Sequence, residues 1–558
     1  MRTVQSFSKH LTHFDFLLTL GLALFLRSWQ IDLTQFDYDQ STLLGHLATF
    51  VATHQIPASD GLVFKIGIRH PPLFTFLLAP IGWFTLDPAW ISAYQAAIDA
   101  VGALFLVLLG RDLGGRWTGL ACGLLYAVSP AALLYSRRIW NPDLVPFFCA
   151  VGLWGTVGFA KFGDSRRLAA AVFALGCAAQ LHLSASVLLL VPAFLAIKGR
   201  AQLSLRPLAF AGGLVGLSLA PYVLLQIQSG GYDVEQALRY LQGPKTVATE
   251  VPYLAASVVA GDLPRQVLTE GRLQDWTFLW EPGTALTMAL LGLGTVFAFR
   301  QSSGWILPVW CLLPLAAALR ADDWVWPHYL LPMLPSAVVL TGFGVARLKP
   351  WPISAGLLAW LVLWRVAGEA HFLDSVANLE FGPAYGIPLR YSAEAARLAL
   401  VSTTGPLFMG QPEAAGGIFN YLTGDRLPIG HFDNRNTVVL RSGGGRYLVE
   451  ATGHATAVLA QHLGPAIATV STPTGGPVYQ LFDVRPDLAQ TEIHRATTSD
   501  INLDIGHLLR LRAFAPPTFA NQQPAAAAIV TWEVTDGNDP RWGDLFFTAH
   551  LVDARGQR

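Results

Sequence analysis

Apolar residues in the first two-thirds of the chain come in blocks of membrane length, with polar residues gathered at the joints. The blocks cover roughly 13–31, 71–86, 89–110, 117–134, 142–160, 168–182, 184–198, 206–227, 283–299, 304–320, 328–347 and 351–368. At about 1.5 Å per helical residue, many can cross a hydrocarbon core of about 30 Å. The two blocks flanking His182 form one continuous run, divided there because it is long for a single crossing. After Trp364 the pattern changes. Residues 385–480 mix a helical piece, Ala393–Leu400, with short runs at Pro406–Gly410, Thr437–Leu440, Tyr447–Ala451 and Ala466–Val470. Glycine-rich turns at 443–445 and 475–476 separate them, which predicts a small α/β unit. From about 504 the spacing is that of strands: Leu508–Phe514, Ala527–Val534 and Leu545–Val552. Turn-formers at Asp536–Pro540 divide the last two. Three strands make a thin sheet that needs another apolar face, so 500–558 reads as an incomplete β-sandwich.

Composition narrows this to a polytopic all-α membrane domain over 1–370, followed by extracytoplasmic α/β and β units. Of 558 residues, 53% are hydrophobic and 13% charged, against roughly twice that charged fraction in soluble chains. The net charge is zero, and no basic run points to nucleic acid. Cys122, Cys149, Cys177 and Cys311 sit far apart in apolar blocks, as small buried hydrophobes rather than a metal or disulfide set. The N-terminal segment lacks a small-residue cleavage site and reads as a retained anchor.

Charge placement sets the expected topology. Arg2, Lys9, Arg111/Arg116, Lys161/Arg166/Arg167, Lys198/Arg200/Arg206, Arg300 and Arg347/Lys349 belong together on the cytoplasmic side by the positive-inside bias. Twelve full crossings would put most of them outside. Parity is repaired if 71–110 makes one net crossing, with 71–86 broken or partly interfacial. The expectation is eleven or thirteen crossings with the C-terminus outside. Residues 32–70, 135–141, the turn at His182, 228–282, 321–327 and everything after about 370 then share the external face. The loop 228–282 carries a short helical segment and the aromatics Trp276, Phe278 and Trp280, suited to an interfacial belt or a lid.

The external face collects the residues with chemical potential. Asp37 and Asp39 follow the first block, and Arg69-His70-Pro71-Pro72 opens the second. Polar groups at membrane depth are costly unless used. A carboxylate can serve as general base for an acceptor, while arginines and histidine neutralise a phosphate leaving group. Asp39 also suits a helix start, where it could cap Ser41 or Thr42. Arg137 and Arg138 stand at an external helix end against the charge bias, and guanidinium pairs well with phosphate oxygens. Trp140, Asn141, Gln180, His182, His328 and Tyr329 line up as residues of a substrate cavity. Asp322 and Asp323, with Asp39 and His70, are weak candidates for a divalent cation, since their spacing is no metal signature.

These residues carry a family likeness. Acids in the first loop, HPPL, SRR-W-NP, the Gln180/His182 pair and PHYLLP–LP resemble the bacterial C-type integral-membrane glycosyltransferases. That group is related to protein O-mannosyltransferases and to the aminoarabinose transferase of lipid A. The likeness covers roughly 10–350. It implies a polyprenyl-phosphate-linked sugar donor, inversion at the anomeric carbon, and a bacterial plasma-membrane enzyme acting on a lipid, glycan or protein. In such relatives the first loop carries Asp-Glu with the aspartate as base; here Asp39-Gln40 stands in its place. Asp39 inherits the base role, with Asp37 as substitute for the missing carboxylate. Arg69, His70, Arg137 and Arg138, and more weakly Lys65, become donor-phosphate candidates. The residues leave two other classes open: a transporter or flippase of lipid-linked sugars, and an inactive assembly factor on the same scaffold.

Overall fold

Buried charge organises the membrane part of the chain. In the computed structural model, Arg27 near the end of helix Arg2–Ser28 meets Asp99 inside helix Pro88–Gly114, and both are fully buried. The Arg27 Nε–Asp99 Oδ2 distance is 2.9 Å, and the Tyr126 hydroxyl donates to Asp99 Oδ1 at 2.7 Å. Arg27 also donates to the carbonyls of Tyr126 and Ala127, where helix Arg116–Ala127 ends and its last carbonyls lack helical partners. A second guanidinium, Arg365 of helix Trp351–Ala377, donates to Leu125 O and Thr287 Oγ1. Arginine thus ties the spans together where lipid offers no alternative hydrogen bonds.

The structure describes residues 2–534 except 200–202, 262–263, 265–275, 321–324, 381–384, 402–405, 412–415, 425–428, 435–442, 453–455, 457–458, 461–463, 491–499, 506–508 and 519–526. Contacts divide the chain into two units. One is Met1–Arg397 with Ala415–Arg426 and Ser471–Gly476; the other is Leu398–Ala414, Leu427–Val470 and Pro477–Arg558.

Among the described residues, six helices are long and apolar enough to cross a membrane: Pro88–Gly114, Asn141–Phe162, Leu205–Gln228, Pro282–Phe299, Pro327–Arg347 and Trp351–Ala377. The pair Arg116–Ala127 and Pro130–Ser136, bent by 51°, makes a seventh. The bend falls where Ser129 is extended and Pro130 opens a new helix. Against the expected eleven or thirteen crossings, the described residues thus give six or seven full-length spans, with shorter apolar helices beside them. Block 71–86 is shorter as a helix than its hydropathy suggested, Leu73–Gly82 with 10 residues, and Val251–Ala260, also 10 residues, is a short apolar helix inside the expected loop 228–282. Each is about 15 Å long, half the hydrocarbon core. Helices Pro282–Phe299 and Leu334–Arg347 pack backbone to backbone. A Cβ on Gly294 or Gly344 would overlap a carbonyl of the other helix, at Leu340 and Leu290 respectively. At the lipid-facing extreme, Leu205–Gln228 buries only Ala211.

Helix Pro88–Gly114 has two chemically different ends. Near its start, Ser92 and Gln95 donate to the carbonyls of Arg137 and Arg138. Near its finish, Arg111 pairs with Asp15 at 2.9 Å together with Arg116, and Asp112 receives Arg167 at 2.5 Å and, on its carbonyl, Lys161. From 92 to 111 is about 28 Å of helix, one membrane core.

The second unit contains a five-stranded sheet in the order β2-β1-β3-β5-β4. The strands are β1 Leu407–Gln411, β2 Ile429–Asp433, β3 Gly445–Glu450, β4 Ala468–Ser471 and β5 Pro477–Val484. β1 runs parallel to β2 and β3; β3 and β5 are antiparallel. Its core holds Phe432, Tyr447, Val449, Leu459, Phe482 and Val484. Sequence spacing found β1, β3 and β4 and missed β2 and β5, while the expected strand Thr437–Leu440 lies outside the described residues. A separate antiparallel sheet joins β6 Asp500–Ile505, β7 Leu509–Thr518 and β8 Ala527–Val534. The last has the expected bounds; Leu545–Val552 lies outside the described residues.

Candidate active site

A helix start presents the first-loop acids. Asp37, not Asp39, is the N-cap of helix Tyr38–Thr53: its carboxylate accepts from Asp39 N at 3.3 Å, and Gln40 Oε1 accepts from Asp37 N at 2.9 Å. This is a reciprocal capping box, with glutamine at its third helical position. Gln35 Nε2 donates to the other Asp37 oxygen at 2.6 Å. The capping role expected of Asp39 therefore belongs to Asp37, and Asp39 in the first turn keeps its carboxylate for other partners. Gln40 is 2% exposed; an amide there avoids burying a further carboxylate beside two others.

Asp39 is half-buried and receives a hydrogen bond from the side chain of Trp140. Burial pushes its carboxyl above the ordinary range and Asp37 adds to this, while Arg138 and the Trp140 bond act against it. The result is a carboxylate more basic than usual beside a fixed cation. Arg138 is held by Asp143 (Nε–Oδ2 3.1 Å, Nη2–Oδ1 3.2 Å) and donates to Gln35 Oε1 at 2.9 Å. Its guanidinium lies over Trp140 at 4.3 Å and Tyr135 at 4.9 Å. Asn141, Pro142 and Asp143 open the following span, so that one chain turn sets Trp140 and Asp143 against Arg138 and Asn141 against Asp60.

An imidazole and aromatic cluster continues from Trp140. Its ring centroid is 4.5 Å from His328, which is 5.2 Å from His182 and 4.7 Å from Tyr329. His182 is 5.0 Å from Tyr329 and 5.7 Å from Phe64, and Phe64 stacks on His70 at 3.6 Å. Phe64 and His70 belong to a hairpin: Phe64 and Ile68 are bonded across it, as are Leu62 and His70. Gly61 starts it at φ +94°, where any Cβ would strike the His46 ring. Burial and the nearby His182 push His70 down to about 3, so its ring is neutral at ordinary pH.

The remaining expected residues divide sharply. Arg137, expected at the donor phosphate, turns into the protein: it donates to Leu26 O at 3.1 Å and Gln30 O at 2.6 Å, and lies 3.8 Å from Glu369. A cation satisfies the carbonyls at the end of the first helix, as helix ends favour. Arg69 is bound to Asp233 at 3.1 Å and to Ser229, which engages its charge. Asp233 also collects Tyr222 and Gln226, tying the hairpin to helix Tyr232–Gln242. Gln180 pairs with Ser218 of the neighbouring span at 3.0 Å rather than with the His182 cluster. Lys65 is exposed near the hairpin tip. Asp322 and Asp323 lie outside the described residues, and among the described residues no group of three His, Cys, Asp or Glu side chains could hold a metal.

Sequence reasoning passed over Asp60. It is fully buried, accepts from Leu62 N at 3.0 Å and is bonded by Asn141 Nδ2. The Ser-Asp-Gly turn at 59–61 was its one legible signal. Burial pushes its carboxyl up to about 7, against the bonds from Leu62 and Asn141 and helped by Asp39. The folded protein keeps a proton that the unfolded chain releases above about 4. Stability from this site therefore falls as pH rises from about 4 to 7. Asp60→Asn should flatten that dependence: in melting curves at pH 5 and pH 8, the wild type should lose more Tm on raising pH than the variant does.

No protein-family model matches the chain, and no curated protein matches it. Among solved structures, ArnT from Cupriavidus metallidurans in the apo state matches with TM-score 0.55 at 12% identity, over 85% of this chain and 98% of that one. ArnT from the same organism bound to undecaprenyl phosphate gives 0.49 at 12% identity, over 84% and 98%. The Archaeoglobus fulgidus oligosaccharyltransferase AglB, with an inhibitory peptide and a dolichol-phosphate, gives 0.45 at 10%, over 92% and 80%. What the chain shares with apo ArnT is its architecture: a polytopic, mostly helical membrane domain of C-type glycosyltransferase-like fold, followed by a β-containing region.

Proposed function

We propose that the protein transfers a monosaccharide from a polyprenyl-phosphate-linked donor to an acceptor on the extracytoplasmic side of a bacterial plasma membrane. The observation that carries this is the pairing of a half-buried, unusually basic Asp39 with Arg138 across Trp140. Displacement of a phosphate by a hydroxyl or amine needs a base on the nucleophile side and positive charge on the leaving-group side, and Asp39 and Arg138 supply one of each. The acceptor oxygen or nitrogen forms its bond to the anomeric carbon, and its proton passes to Asp39. The bond from that carbon to the phosphate oxygen breaks, and the electron pair leaves on the phosphate beside Arg138. Attack opposite the leaving group inverts the carbon.

Helix Pro88–Gly114 supports this sidedness. Its far end gathers Arg111, Arg116, Lys161 and Arg167, while the candidate site lies at its near end. Basic clusters favour the cytoplasm, which supports an external site, where lipid-linked donors rather than nucleotide sugars are the available class. A transporter needs a continuous path rather than a base fixed by an indole.

The test is transfer in proteoliposomes from radiolabelled polyprenyl-phosphate sugars, set against nucleotide sugars, with total membrane extract as acceptor. Label should move from the lipid donor alone. Transfer from nucleotide sugars, or none from either, would overturn the reading.

A further inference from the structure

We propose that Asp60, Asn141 and His70 form a subsite for the ring hydroxyls of the transferred sugar; this rests on the donor reading above and names what holds its sugar. Asp60 and His70 lie on one hairpin, joined by the backbone bond from Asp60 N to His70 O, and Asn141 reaches Asp60 from the start of span Asn141–Phe162. Asp60 and Asn141 are fully buried and bonded to each other. Asn141 Oδ1 is buried without a hydrogen-bond partner, and so is His70 Nδ1 on a residue 6% exposed. Buried polar atoms left unpaired are costly, and native proteins seldom leave them so. Groups that complete the set only when a ligand arrives offset that cost.

The chemistry of the open positions selects the ligand. Asn141 Oδ1 is an acceptor and needs a donor, which a phosphate oxygen is not. The neutral His70 ring accepts or donates at Nδ1 according to its tautomer. Asp60, pushed up to about 7, is a donor when protonated and an acceptor when not. A neutral polyhydroxylated ring supplies both donors and acceptors, and the Asp60 carboxylate disfavours an anion. The placement also fits. Asn141 follows Trp140, which bonds Asp39, and the charge of Asp39 is felt at Asp60. A sugar with its anomeric carbon between Asp39 and Arg138 would turn its ring toward this subsite and the Phe64–His70 stack.

The probes are bare undecaprenyl phosphate and its glucosyl, mannosyl, galactosyl and arabinosyl derivatives, bound to the detergent-solubilised full chain. At least one sugar lipid should bind about tenfold or more tightly than the bare lipid, the scale of losing hydroxyls from a site built to bond them. Asn141→Leu and Asp60→Leu should each reduce that ratio to about twofold or less while the affinity for bare lipid is unchanged. That unchanged affinity also reports that the variants fold. His70→Gln, which leaves the Asp60–Asn141 bond in place, should lower the ratio as well and serves where the Asp60 or Asn141 variants prove unstable. A ratio retained in the variants, or a wild type that binds bare lipid and every sugar lipid equally, would sink the subsite alone. A wild type that binds no lipid at all would sink the donor reading and the subsite with it.

Discussion

Asp39→Asn should lower the rate of sugar transfer by about 10²–10⁴-fold, the contribution of a positioned general base. Asparagine keeps the size of the side chain and can still meet the Trp140 side chain, but it cannot take the acceptor proton. The loss should fall on kcat, with donor affinity within about twofold of wild type, because base removal acts in the transition state and not on the bound donor. Radiolabelled transfer and donor binding, measured on protein at equal level, separate the two. Unchanged transfer would remove Asp39 from the chemistry. Asp37 would then be a poor replacement, since its two oxygens already hold Asp39 N and Gln35 Nε2 and cap the helix. The pH profile gives a second reading: burial and Asp37 raise the Asp39 carboxyl, so transfer by the wild type should decline on the acid side at higher pH than an ordinary aspartate would give.

Asp99→Leu should destabilise the membrane domain by about 3–5 kcal/mol, since it leaves Arg27 charged and unpaired in a dry interior. The pair is 0% and 1% exposed at its side chains. Combining Asp99→Leu with Arg27→Met should restore part of the loss, because a hydrophobic pair of similar volume is often as stable as a buried ion pair. It should not restore all of it. Arg27 also serves the carbonyl of Ala127, which loses that donor, while Tyr126 O keeps its bond from Ser129 N. Denaturation in detergent, followed for the single and double variants, checks both statements. A double variant no more stable than Asp99→Leu would show that the pairing is not what the single change breaks.

The two arginines at 137 and 138 show why the site was only partly legible. They are adjacent in sequence and carry the same chemistry, and both stood as phosphate candidates. Packing separates them: Arg138 reaches Asp143 and lies over Trp140, while Arg137 turns to Leu26 and Gln30. No local pattern distinguishes two consecutive residues at a helix end, because the choice depends on carbonyls more than a hundred positions away. Asp60 is the converse case. Its turn residues are ordinary, and only its burial against Asn141 makes it unusual. Arg69 looked like a free cation until Asp233, 164 positions on, was seen to hold it.

Hydropathy by itself determined that this is a polytopic membrane protein, since apolar runs of membrane length with so few charges have no stable place in water. The first-loop acids, the paired arginines and the two histidine segments were visible there too, because polar groups are rare among such runs. Strand β8 was readable to the residue from its alternation. Tertiary structure decided the rest: how many apolar runs are full spans, which carboxylate caps and which stays available, and which arginine faces the site. Those outcomes turn on hydrogen bonds between distant segments. In a medium without water, most buried polar groups take the partner that the fold brings to them.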